Sequence, residues 1–129
     1  MIQRPKITTS EDAYKLLLKI FDRDFMNIKE EAAVLYLNRA NRVIGAYRVS
    51  SGGITGTVVD PRLILSVALK TLSCGLILAH THPSGDLRPS RADIDLTEKL
   101  KQAAKYMDIQ ILDHLIITSE SYTSVLERD

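Results

Sequence analysis

The 129-residue sequence predicts an α/β fold, a three-layer α-β-α sandwich around a mixed β-sheet. Three observations carry this. The segments run helix, two strands, helix, strand, helix, strands, an order that places helices on both faces of one sheet. With 129 residues, 45% of them hydrophobic and 26% charged, the chain suits a single domain with a real core. The short apolar run Gly75-Leu-Ile-Leu-Ala79 reads as a buried strand at its centre.

Residues 1–9 are polar with one proline and read as a flexible arm. Ser10-Glu-Asp opens a helix, a capping residue followed by acids in the first turn, and Ala13, Leu16, Leu17 and Ile20 continue it at helical spacing. Residues 31–37 and 43–49 read as strands joined by the turn-rich Asn38-Arg-Ala-Asn41. A loop over 50–53 and a short strand over 55–59 follow. Asp60-Pro61 is a helix cap with proline at the first helical position, and Leu63, Val67 and Leu69 carry that helix to about Ser73. After Gly75 and the central strand, Ser90 begins a long helix to about Tyr106, with Ile94, Leu96, Leu100 and Ala103 as its apolar positions. Residues 109–112 and 115–118 read as two closing strands with Asp113-His114 at their junction.

Seventeen basic and sixteen acidic residues nearly cancel, so direct nucleic-acid binding has no support from net charge. Cys74 is the only cysteine. That excludes an internal disulfide and a site built of several thiolates, and its apolar neighbours suggest a buried, inert thiol. The sequence as it stands reads without a secretory signal and without an apolar run near the roughly 18 residues of a membrane span. No membrane partner is expected, and a cytoplasmic location follows as the default. Oligomeric state is not legible.

The stretch richest in chemistry is His80-Thr-His82-Pro-Ser-Gly-Asp-Leu-Arg-Pro-Ser90-Arg-Ala-Asp93. Residues two apart at a strand end point the same way, so His80 and His82 can reach one point in space. A carboxylate returning from the next element completes three ligands, the arrangement that holds catalytic zinc with a fourth position open. Each residue also has a plainer reading. Ser90 and Asp93 form a capping pair whatever the function, and Pro83-Ser-Gly85 is an ordinary turn signal. The combination is more telling: two of only three histidines sit two apart, directly before a helix with an acid in its first turn.

The whole pattern, H-x-H-x7-S-x2-D, resembles the JAMM signature of the JAB/MPN metallopeptidase family, and most closely its bacterial RadC-like branch. The likeness runs over about residues 30–126. It takes in Glu30 with Val34-Leu-Tyr-Leu-Asn38, Asn41-Arg-Val-Ile44, Pro61-Arg62, Ala79-His-Thr-His-Pro-Ser-Gly85, Pro89-Ser90, Asp93, Leu96-Thr97 and Leu112-Asp-His-Leu-Ile116. It implies the cytidine-deaminase-like MPN architecture and a zinc-dependent peptidase or isopeptidase acting on a peptide or isopeptide substrate. His80, His82 and Asp93 would be the zinc ligands, Glu30 the general base, and Ser90 a hydrogen-bond donor to the oxyanion. Glu31 stands beside Glu30, and strand alternation lets only one of them face the metal; the likeness selects Glu30. Asp113 and His114 match the pattern too, either as outer supports of the ligands or as a satisfied core pair. Arg62, at a helix start, is a candidate for an ion pair or a substrate contact.

Two departures stand out. RadC-like proteins usually carry a helix-hairpin-helix region ahead of this domain, and the first 29 residues here offer only an arm and one helix. Thr81 stands where asparagine is common between the histidines, and it is expected to point away from both of them. The competing readings are a non-catalytic accessory module associated with DNA repair, as the family name suggests, and a domain in which metal is purely structural. The zinc deaminase pattern needs two nearby cysteines, which the chain lacks.

Overall fold

The computed structural model describes residues 4–49 and 59–126. One sheet has the strand order β2-β1-β3-β4-β5, formed by β1 (Ala32–Leu37), β2 (Val43–Val49), β3 (Gly75–Thr81), β4 (Gln110–Ile117) and β5 (Tyr122–Ser124). Helix α1 (Ser10–Ile20) covers one face, and α2 (Pro61–Thr71) and α3 (Arg91–Lys105) cover the other. Only β3 and β4 pair in parallel among these neighbours. This is the mixed, three-layer α/β sandwich that the sequence predicts.

The β3–β4 pairing explains where the motif lies. Parallel neighbours need a crossover of a dozen or more residues. Here the motif loop and α3 supply it, so the loop leaves the sheet at the carboxyl end of a central strand, where open α/β sheets bind their ligands.

Every residue of β1 and of β3 is buried, as expected of strands covered on both faces. Alternation divides their side chains between two cores. Leu35, Ile77 and Leu115 meet Ala13 and Leu17 of α1. Val34, Tyr36 and Leu78 meet Ile64 and Ala68 of α2 and Leu100 and Ala104 of α3. The buried Tyr36 hydroxyl donates to the Ile64 carbonyl at 2.9 Å and ties β1 to α2. Tyr36→Phe is expected to cost about 1 kcal/mol, the net worth of one such bond, seen as a lower denaturation midpoint with an unchanged slope.

Several local expectations change. The cap of α1 is Thr9, not Ser10; Thr9 and Asp12 form a capping box, which frees the Ser10 hydroxyl for another partner. On α2 the inward residues are Ile64, Leu65 and Ala68, while Leu63 and Leu69 face out. On α3 Ile94 is exposed and Thr97 is buried in the inward row with Leu100 and Ala104. Cys74 is half-buried and free rather than fully buried. The described part of the expected arm is docked: Val43 N–H donates to the Pro5 carbonyl at 2.8 Å, Ile7 N–H donates to the Asn41 carbonyl at 2.9 Å, and Ile7 is buried. The loop over 50–53 and the strand expected over 55–59 lie outside the described residues, except for Val59, which is in no strand.

The two closing strands expected over 109–118 are one strand with a bulge. Leu76 pairs with Ile111 but Ile77 pairs with Asp113, so Leu112 is the extra residue. Gly75 makes room for it: a Cβ there would lie 2.7 Å from Leu112 Cδ1. Ile109 and Ile111 face α2 and α3, whereas beyond the bulge Leu115 and Ile117 face α1. The strand's sides exchange at Leu112, and His114 is turned toward α3. The second closing strand is the short β5.

Candidate metal centre

His80 is the penultimate residue of β3, His82 follows the strand, and Asp93 lies in the first turn of α3. Their ligand atoms converge. His80 Nε2 is 2.9 Å from His82 Nε2 and 3.0 Å from Asp93 Oδ1, and His82 Nε2 is 3.5 Å from Asp93 Oδ2. Ligands at zinc–nitrogen distances of about 2.0–2.1 Å on a tetrahedron sit about 3.3 Å apart, so the three separations bracket what zinc requires. Two imidazole lone pairs and a carboxylate oxygen so close together need a cation, or a shared proton, between them.

Local structure aims each ligand. His82 Nδ1 lies 2.7 Å from the Asp86 carbonyl, which can only accept, so Nδ1 carries the proton and Nε2 offers its lone pair. The turn that returns the chain for this contact has Gly85 at φ 84°, a left-handed conformation that glycine adopts without strain. The Asp86 side chain is occupied by Arg88, whose hydrogen bonds hold its carboxyl down to about 2. Asp93 Oδ2 accepts the Ser90 N–H at 2.7 Å, which orients the carboxylate toward the histidines.

The electrostatics agree. Burial pushes the Asp93 carboxyl up, but the adjacent His80 and His82 imidazoles outweigh it and hold the group below the usual carboxylate range. The adjacent Asp93 carboxylate raises His82 against the opposing effect of burial, with smaller contributions from the Asp86 carbonyl and the Glu30 charge.

The two glutamates part company. Thr81 N–H donates to the Glu31 carbonyl at 2.9 Å, and Ala32 pairs with His80. Carried one step further, this register sets half-buried Glu30 beside His82, where its charge is felt. Glu31 turns to the other face, is buried, and pairs with Arg48 at 2.9 Å. Thr81 also faces away from the imidazoles: its hydroxyl accepts the Glu31 N–H at 2.9 Å.

Ser90 caps α3. Its Oγ accepts the Asp93 N–H at 3.1 Å, and the exposed hydroxyl keeps its own proton to donate. Capping and donation are therefore compatible, because they use opposite capacities of one oxygen.

Asp113 and His114 do not act as a pair of side chains. His114 Nε2 lies 3.0 Å from His80 Nδ1, directly behind a candidate ligand. Burial, reinforced by repulsion from His80, pushes the His114 imidazole down to about 3, so it is neutral. Asp113 faces α1, away from the metal centre, and accepts from Ser10 Oγ at 2.6 Å, Ser124 Oγ at 2.5 Å and its neighbour's N–H at 2.9 Å. It binds α1 and β5 to the sheet. Asp113→Ala strands three donors and is expected to cost roughly 2–4 kcal/mol in chemical denaturation while leaving zinc uptake intact. Arg62 is exposed and pairs with its own helix cap, Asp60, at 3.1 Å.

Thr97, quoted from the sequence only as part of the family likeness, is the residue whose role the sequence reading missed. It is 2% exposed, and its Oγ1 lies 2.5 Å from His114 Nδ1. The available signal was a threonine on the inward row of α3, one turn after Asp93.

The family model described as RadC-like JAB domain matches residues 7–129. The chain belongs to this family. Similar curated proteins are a UPF0758 protein of Flavobacterium johnsoniae, 44% identical over 98% of this chain and 54% of the relative, and one of Coprothermobacter proteolyticus, 40% identical over 96% and 53%. A third, from Salinibacter ruber, is 42% identical over 91% of this chain and 48% of the relative. The chain thus spans about half the length of these relatives. Among the described residues of this RadC-like JAB domain, His80, His82 and Asp93 form a cluster able to hold a metal ion, and no helix is long and apolar enough to cross a membrane.

Proposed function

We propose that this RadC-like JAB domain is a zinc-dependent metallopeptidase or isopeptidase that hydrolyses an amide bond. The observation that carries the reading is the convergence of His80, His82 and Asp93 at zinc-like separations, with Glu30 alongside. Bound there, zinc would polarise an amide carbonyl and lower the pKa of a water toward about 7. Glu30 takes the proton from the attacking water and returns it to the leaving amine. Ser90 donates its hydroxyl proton to the oxygen that gathers negative charge; such a donor is worth about 2.7–4 kcal/mol of transition-state stabilisation. A reducing, cytoplasmic setting agrees with the lone free Cys74.

The test is hydrolysis of a panel of unstructured peptides and lysine-linked isopeptides by protein that is zinc-loaded, stripped with a chelator, and reloaded. Cleavage should vanish on stripping and return with zinc. No cleavage across the panel by fully loaded protein, together with salt-sensitive binding to DNA, would favour the accessory-module reading instead.

A further inference from the structure

A histidine binds metal through one nitrogen only if its proton rests on the other. For His82 a backbone carbonyl settles the matter. For His80 the partner is His114, another imidazole, which can either accept or donate. The decision passes one residue further. Thr97 Oγ1 donates to the Asp93 carbonyl at 2.9 Å. That uses its only proton, so toward His114 Nδ1 it must accept, and His114 Nδ1 must carry the hydrogen. His114 is 1% exposed and its two nitrogens face an uncharged hydroxyl and another imidazole, so it is held neutral with one N–H; its Nε2 is therefore bare and accepts from His80 Nδ1. We infer that Thr97, acting through His114, fixes the proton of His80 on Nδ1 and leaves Nε2 bare for the cation.

The chain of bonds starts at the backbone of Asp93, passes through Thr97 and His114 and ends at His80, whose bare Nε2 lies 3.0 Å from the Asp93 carboxylate, a gap for a cation to bridge. His114, 1% exposed, and Thr97 are shut off from water that could supply a substitute partner. Reversing the Thr97 hydroxyl would reverse every bond after it and leave a proton on His80 Nε2, where a ligand lone pair is needed. Thr97 and His114 are positioning residues: neither reaches the substrate side, and supports of this kind typically change metal affinity by 10–100-fold.

The inference rests on reading His80 as a metal ligand, but its main test does not need hydrolysis or bound zinc. Two-bond proton–nitrogen correlation spectra of metal-free protein labelled with ¹⁵N-histidine report each tautomer directly. His114 is expected as the Nδ1–H form in the wild type, and as the Nε2–H form or a mixture in Thr97→Val. Thr97→Ser, which keeps the hydroxyl, should restore the wild-type pattern. In competition with a chromogenic chelator, zinc affinity should fall about 10–100-fold in Thr97→Val and recover in Thr97→Ser. An Nε2–H tautomer of His114 in the wild type overturns the inference. So does Thr97→Val with an unchanged tautomer and unchanged affinity. Should Thr97→Val fail to fold, the wild-type and Thr97→Ser spectra still decide. A protein that binds zinc as expected but cleaves nothing would defeat the hydrolase reading alone.

Discussion

Glu30→Gln is expected to bind zinc as tightly as the wild type and to lose hydrolysis by about 10²–10⁴-fold, the usual worth of a general base. The substitution keeps the size and hydrogen-bonding shape of the side chain but cannot take a proton. Glu30 is not among the converging ligand atoms, so metal content should be unaffected. The natural control is Glu31→Gln. Its carboxylate is buried against Arg48 on the far face, so its loss should lower stability and spare the rate. The comparison pits neighbours of identical chemistry against each other, and only strand alternation separates them. A Glu30→Gln variant with full activity would remove the residue from the proposed mechanism.

His82→Ala is expected to abolish stoichiometric zinc binding, read by elemental analysis of protein purified without added metal or a metal-binding tag. Two ligands hold zinc far more weakly than three, and the turn that delivers His82 would have nothing to present. His82 is a cleaner target than His80, because it lies beyond the strand and does not contact His114. The same variant should lose the stabilisation that zinc gives the folded state, about 4 kcal/mol when free zinc is a thousandfold above the dissociation constant. In thermal melts the wild type should therefore shift upward with added zinc and His82→Ala should not. One zinc per chain in the variant would show that the ion sits elsewhere.

Much of this was readable from residues alone because the signals are local. The cap at Ser90, the proline at the start of α2 and the two histidines at a strand end depend on neighbours a few positions away, as does the capping box that fixes Asp93. What escaped depends on distant partners. Leu63, Leu69 and Ile94 fit a helical stripe as well as their inward neighbours do, and only the docking angle of each helix decides which row is covered. Ser10 looked like a cap because its true partner, Asp113, is 103 residues away. Thr97 is an unremarkable helical residue until β4 brings His114 against it. The choice between Glu30 and Glu31 likewise required the register between β1 and β3.

The extra residue at Leu112 makes the spacing along β4 as consequential as its composition. Before it, odd-numbered side chains look toward α2 and α3; after it, even-numbered ones do. Drawing Leu112 into the ladder opposite Ile77, instead of leaving it bulged, would act on the folded chain much as a frameshift acts on a gene. Each downstream side chain would keep its identity and exchange its surroundings, with Asp113 brought opposite Leu78 under the candidate metal centre and His114 turned toward α1 opposite Ala79. An alignment that places the extra residue after Asp113 rather than before it therefore assigns one residue's part to its neighbour, and the pairing of Leu78 with His114 is the safer guide to which histidine stands behind the candidate ligands.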